Sequence, residues 1–204
     1  MSVDIVQIPA GEMKNFAYLL LCPETGSAVA VDPSFAPEAV MEAARSRRVT
    51  IETVVATHGH RDHVAGVDTV CREAGARLAA HPDDLPEAEI HLHDGDRLTL
   101  GRGEVEILHT PGHTPGCITL HPPGALITGD TLFVTAVGRA DMAVSEPEAL
   151  YRSLRRLAEF PPETKVFPGH DYGPHAVSTI GFELEHNPYL QCPDLESFLK
   201  LRMG

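Results

Sequence analysis

The segment Thr57-His58-Gly59-His60-Arg61-Asp62-His63 constrains this 204-residue chain more than any other part of it. Three imidazoles and a carboxylate fall within six residues, directly after the apolar run Thr53–Ala56 and before an amphipathic stretch. Imidazole and carboxylate are ligands that suit zinc and iron. In an extended strand end His58 and His60 project to the same side, while Asp62 and His63 enter a helical turn and face a second point. This pattern predicts metal chemistry at the end of a buried strand rather than a polar surface loop.

Such a centre needs ligands from elsewhere, and three loops offer them, each just past a predicted strand. His113 lies in His109-Thr110-Pro111-Gly112-His113-Thr114-Pro115-Gly116, Asp130 closes Thr128-Gly129-Asp130, and His170 sits in Pro168-Gly169-His170-Asp171. Strand ends are where α/β sheets usually build their sites.

Short apolar runs alternate with amphipathic stretches along the chain. Strands are expected at Val3–Ile8, Phe16–Leu21, Ala28–Val31, Thr53–Ala56, Arg77–Ala80, Asp96–Leu100, Val105–Leu108, Ile118–Leu120, Ala125–Thr128 and Val166-Phe167. Asp32-Pro33 reads as a turn. Helices are expected at Pro37–Arg47, at Val64–Ala74 with Gly75 as its stop, and after a capping box at Ser145-x-x-Glu148. Two short helices within about 177–202 close the chain. With no internal repeat or Gly/Ser linker, residues 1–204 read as one α/β domain.

The formal charge of −13 repels phosphate backbones and anionic lipid, which argues against nucleic acid and membrane surfaces as partners. Aromatics are 5% of residues with no Trp, too few for a base-stacking platform. Met1-Ser2-Val3-Asp4 shows neither the basic nor the apolar region of an export signal, and no apolar run reaches membrane-spanning length. Cys22, Cys71, Cys117 and Cys192 form no C-x-x-C pair, so buried or free thiols in a reducing cytoplasm are expected.

In order, His58, His60, Asp62, His63, His113, Asp130 and His170 resemble the motifs of the metallo-β-lactamase superfamily. Thr57–His63, Thr128-Gly129-Asp130-Thr131-Leu132-Phe133 and Pro168-Gly169-His170-Asp171 are similar to its glyoxalase II (hydroxyacylglutathione hydrolase) branch. The resemblance implies an αββα sandwich, two mixed sheets face to face with helices outside and metals at one sheet edge. It implies two divalent ions, zinc or iron. His58, His60 and His113 would hold one, Asp62, His63 and His170 the other, with Asp130 between them. The implied reaction is thioester hydrolysis by metal-activated water, with Asp62 and Asp130 at the reacting centre and a small thioester or glutathione conjugate as substrate. Asp171 is a candidate acceptor behind the ligands, and Arg139 and Tyr172 are candidate substrate contacts, with Arg139 equally able to pair internally with Asp141. A second copy of the chain, as a homo-oligomer, is a further candidate partner.

The chain stops about thirty-five residues after His170, too soon for the helical C-terminal domain usual in glyoxalase II. Gly138-Arg139-Ala140-Asp141 and His170-Asp171-Tyr172 also resemble the persulfide dioxygenases of the superfamily, which would hold one Fe(II) on His58, His113 and Asp130. A structural-zinc interaction module is the lesser alternative, since structural sites favour four closed ligands rich in Cys and no Cys lies in the cluster. The other histidines have simpler expectations. His91 and His93 alternate on a solvated strand edge rather than forming a decoy metal pair, His81, His109 and His121 serve packing or backbone bonds, and His175 and His186 rim the pocket. Cys117 is expected to be a buried small hydrophobe.

Overall fold

A computed structural model describes residues 3–204; Met1 and Ser2, half of the segment read for an export signal, lie outside the described residues. The chain runs β1 (Asp4–Pro9), β2 (Phe16–Cys22), β3 (Ser27–Val31), α1 (Pro37–Arg47), β4 (Thr50–Val55), α2 (Arg61–Val64), α3 (Val67–Ala74) and β5 (Arg77–Ala80). There follow β6 (Ile90–His91), β7 (Arg97–Leu100), β8 (Gly103–His109), β9 (Ile118–His121), β10 (Ala125–Gly129), β11 (Leu132–Phe133) and β12 (Ala136–Val137). The last part holds α4 (Pro147–Leu157), β13 (Lys165–Pro168), β14 (Ser178–Thr179), α5 (Ile180–His186) and α6 (Leu195–Met203).

Two six-stranded sheets result, in the orders β1-β2-β3-β4-β5-β6 and β14-β13-β10-β9-β8-β7, each mixing parallel and antiparallel pairs. Strand alternation explains the layers. Phe16, Tyr18, Leu20 and Cys22 of β2 meet Leu100, Ile107, Leu120 and Ile127 of the other sheet in the central core. The intervening Ala17, Leu19 and Leu21 pack with Val40 of α1 and Val67 and Val70 of α3. On the far side Leu126 and Val166 meet Leu150, Leu154 and Leu157 of α4 and Phe198 of α6. Helix, sheet, sheet, helix is the expected αββα sandwich. Because β2 and β3 are buried on both faces, they read as unbroken apolar runs.

Three expectations need correction. The helix expected over Val64–Ala74 breaks at Gly66, where a Cβ would lie 2.6 Å from the Ser34 carbonyl oxygen; the chain there is pressed against the loop after β3. Ser145 forms no capping box: Glu146 holds the N-cap position without a side-chain cap, and the Ser145 hydroxyl donates to the His113 carbonyl at 2.8 Å. The stretch expected as helix from Val177 begins as strand, with Ser178 paired to Val166, and the helix starts only after Thr179 accepts from the Phe182 N–H.

Candidate metal centre

The strand ends deliver the seven side chains to one edge of the sandwich. His58 lies three residues past β4, in a segment pinned at Thr57, whose N–H and hydroxyl both donate to Asp32, at 2.7 and 2.6 Å. His60 is the extended N-cap residue of α2, so the chain turns helical beneath Asp62 and His63 and swings them to a second point, as the spacing predicts. His113 sits in the β8–β9 loop beside Gly112 (φ +136°), where a Cβ would lie 2.1 Å from the Leu150 backbone nitrogen. Only glycine fits there. Asp130 follows β10, and His170 follows β13 after a step through Gly169.

The resulting distances are short. Nδ1 of His60 lies 3.0 Å from Nε2 of both His58 and His113. Nε2 of His63 and Nε2 of His170 are 3.2 Å apart. Asp62 Oδ2 is 3.3 Å from His170 Nε2, and Asp130 reaches both sides, with Oδ1 at 3.3 Å from His63 and Oδ2 at 3.5 Å from His113. His58, His60 and His113 form one group able to hold an ion, and Asp62, His63 and His170 another.

Outer partners aim the rings inward. Nδ1 of His113 donates to the Arg139 carbonyl at 2.9 Å, Nδ1 of His170 to the Met13 carbonyl at 3.0 Å, and Nδ1 of His63 to Asp32 at 2.9 Å. Such bonds leave the Nε2 lone pairs facing the centre. Two lone pairs at 3.2 Å repel unless a proton or a cation lies between them. The buried Asp130 Oδ1 has no hydrogen-bond donor, and a Cβ on Gly169 would stand 2.4 Å from it. Clustered imidazoles, paired carboxylates and this orphaned oxygen fit a divalent metal.

Electrostatics follow the same geometry. Burial, with His63 beside it, pushes the His58 imidazole well down. Burial also works against charge on His170, but the Asp130 and Asp62 carboxylates beside it prevail and raise it to about 9. Burial would raise Asp62, yet His170 and His63 beside it hold it well below the usual carboxylate range.

Several residues escaped the sequence reading. Asp32, in the Asp32-Pro33 turn, is the carboxylate behind His63 and Thr57; its place right after an apolar strand, like that of Asp130, is the signal that marks it. Asn15 donates to Asp62 at 3.0 Å, and Asp84 holds the N–H groups of Gly59 and Gly116. Neither carries a motif. Asp171 is not the acceptor expected; its N–H bonds the Lys14 carbonyl, and Asp32 occupies the position behind the ring instead.

A cleft of about 420 Å³ opens over the cluster, lined by Met13, Phe133, Val137 and Met142 and by the polar Arg61, Arg139 and Tyr172. Tyr172 stacks on His170 with ring centroids 4.6 Å apart. Arg139 both lines the cleft and pairs with Asp141 through bonds of 2.9 and 3.1 Å. His175 and His186 do not rim this cleft; both lie against Phe182. His91 and His93 are exposed, as expected of a solvated strand edge; His91 bonds the Pro86 carbonyl, while His93 approaches His81. Cys117 is fully buried and its thiol is pushed up by that burial, as a small hydrophobe's would be.

The family model of the metallo-beta-lactamase superfamily matches residues 10–170. A hydroxyacylglutathione hydrolase of Cereibacter sphaeroides is 36% identical over 179 residues, covering 84% of this chain and 68% of that protein. One of Methylococcus capsulatus is 38% identical over 177 residues, covering 83% and 67%. Among solved structures, ETHE1 from Myxococcus xanthus superposes with a TM-score of 0.93 at 29% identity, covering 98% of this chain and 90% of that one. TTHA1623, solved in a di-iron-bound form, gives 0.80 at 32% identity over 91% of this chain and all of that one. With the seven clustered His and Asp residues inside the matched span and relatives of this identity along most of its length, the chain belongs to the metallo-beta-lactamase superfamily.

Proposed function

We propose that the protein is a metal-dependent hydrolase of thioesters that cleaves conjugates of glutathione with hydroxy acids. The observation that carries this reading is the meeting of two His/Asp groups around Asp130 in a chain 35–38% identical to proteins named hydroxyacylglutathione hydrolase. His58, His60 and His113 would hold one ion and Asp62, His63 and His170 the second, with Asp130 within reach of both groups. Zinc and iron each suit this set. Divalent ions so placed act as Lewis acids on a carbonyl and make water acidic enough to supply hydroxide near neutral pH.

The remaining steps belong to the chain. Asp62, braced by the Asn15 amide, orients the attacking water. Met13, Phe133, Val137 and Met142 keep bulk water from the acyl group. Tyr172, half-exposed and stacked on His170, offers its hydroxyl to the substrate. Arg139 binds a substrate carboxylate only by giving up part of its fork from Asp141. A thiolate leaves without a strong general acid, so a thioester suits a site whose histidines all face the ions or their outer partners. Residues 1–204 act here as one domain. No helix among the described residues is long and apolar enough to cross a membrane, and the substrate is taken to be a small molecule in solution.

The second reading is a single Fe(II) on His58, His113 and Asp130 acting on glutathione persulfide with O₂. It is supported by the close approach of these three side chains and by the fit of nearly the whole chain on ETHE1. Metal analysis of protein purified without added metal, with parallel assays of glutathione thioester cleavage and of persulfide-dependent O₂ uptake, separates the two. Two ions and thioester cleavage are expected. One iron with O₂ uptake and no thioesterase activity overturns the hydrolase.

A further inference from the structure

The edge of the sandwich that gathers the centre also gathers a second group of histidines, further along the same two sheets. His81 follows β5, His93 follows β6, and His109 ends β8. His81 is only 7% exposed, and its ring lies on that of His109 with centroids 4.2 Å apart and planes within 4° of parallel. His93 meets His81 edge-on, with ring centroids 5.7 Å apart. Asp83 Oδ2 approaches His81 Nδ1 at 3.7 Å. One donor atom from each of His81, Asp83 and His109 lies within 4.8 Å of the others.

Packing and backbone bonds account for only part of this arrangement. His109 Nε2 donates to the Pro115 carbonyl at 2.8 Å, which places a lone pair on its Nδ1. His81 Nδ1 accepts a longer bond, 3.2 Å, from the Asp83 N–H, so it too presents a lone pair. Burial and the neighbouring His109 push His81 down, keeping it in the neutral form that binds metal. The nearby Arg156 charge is taken up by Asp94 at 2.6 Å.

We propose that His81, Asp83 and His109, with His93 as the fourth ligand, form a second divalent transition-metal site separate from the catalytic centre. Imidazoles with one carboxylate make a donor set suited to zinc and its first-row neighbours. The site does not depend on the hydrolase reading. Lone pairs lying in two near-parallel stacked planes do not converge on one point, so a shared ion requires one ring to tilt out of the stack. That tilt is itself measurable. His109 is bonded to Pro115, two residues beyond His113, so an ion here stiffens a catalytic loop from outside the cleft.

The test is a zinc titration of the full chain followed by NMR of the histidine ring nitrogens, with zinc content from equilibrium dialysis against micromolar zinc. The site requires Nδ1 of His81 and His109 to shift together, with the ring-current shifts of the stack changing in step. Asp83→Ala and His109→Gln should each bind one zinc fewer than the parent, whereas His58→Ala should retain the zinc-dependent shift at His81. Should a variant fail to fold, the parent protein's spectra decide alone. Absence of any zinc-dependent shift at His81 and His109 overturns the site, as does equal zinc content in the parent and both folded variants.

Discussion

Asp32 Oδ2 accepts the Nδ1 proton of His63 at 2.9 Å while the same carboxylate takes both the N–H and the hydroxyl of Thr57. One side chain thereby orients a ligand on α2 and the segment leading to His58. Replacing a carboxylate behind a metal-bound histidine typically weakens metal affinity 10–100-fold. Asp32→Ala should therefore lower affinity by about that factor, read by competition with a chromophoric chelator. An unchanged affinity would show that Asp32 serves the fold alone.

Asp84 has a comparable role with different partners. Its Oδ2 accepts from the Gly59 N–H at 2.8 Å and its Oδ1 from the Gly116 N–H at 2.7 Å, fastening the His58–His63 loop to the His113 loop. Asp84→Ala leaves both donors and the Thr114 hydroxyl without their acceptor. A loss of about 2–3 kcal/mol in urea unfolding is expected, with a fall in thioesterase activity. Gly116→Ala should produce a similar loss, because its Cβ would stand 2.6 Å from Asp84 Cγ. Wild-type stability in both variants would count against the clasp.

His170→Ala discriminates between one ion and two. Removing it should cost the centre about one of its two ions and slow hydrolysis by on the order of a hundredfold or more. A single iron on His58, His113 and Asp130 would instead keep its full occupancy. His58→Ala and Asp130→Ala should abolish turnover in either case, and retention of a tenth of the rate would refute the ligand assignment.

Chelation should destabilise the folded chain, since an ion bound only to the native state adds RT ln(1 + [L]/Kd). At a metal concentration about a thousandfold above Kd this is about 4 kcal/mol, so Tm should fall by several degrees on adding chelator and recover with metal. The ligands must shed protons to bind, so metal retention rises with pH and fails as acid protonates the imidazoles and carboxylates. Tm values equal with and without chelator would contradict a centre that joins the two sheets.

Elements with a strong local signal were legible in the sequence. Pro37 at a helix start and the basic Arg45 and Arg47 at its end place α1 at its observed bounds, and Gly75, with φ +68°, ends α3 as expected. Two-residue strands such as β6, β11 and β12 have no period to read. Ser145 followed by Glu148 obeys the capping pattern, yet the hydroxyl finds the His113 carbonyl across the fold, and tertiary contact overrides a local rule. The seven clustered side chains were visible because metal ligation restricts residue type and spacing together. Asp32, Asn15 and Asp84 were not, since a hydrogen bond between distant segments leaves no spacing behind.

His58, His60, Asp62 and His63 come from the sheet that holds β4, and His113, Asp130 and His170 from loops of the other; His63 and His170 are 107 positions apart. An ion shared across that gap closes a ring of chain about as long as an average small domain. The four cysteines are free, so no disulfide among the described residues closes such a ring covalently. For a covalent link, a loop of about 100 residues removes on the order of 4.7 kcal/mol of chain entropy from the unfolded ensemble. A coordination bond does the same only while it holds. Under the proposed two-ion reading, the same side chains would therefore also act as a reversible crosslink between the two sheets, present only while metal is bound.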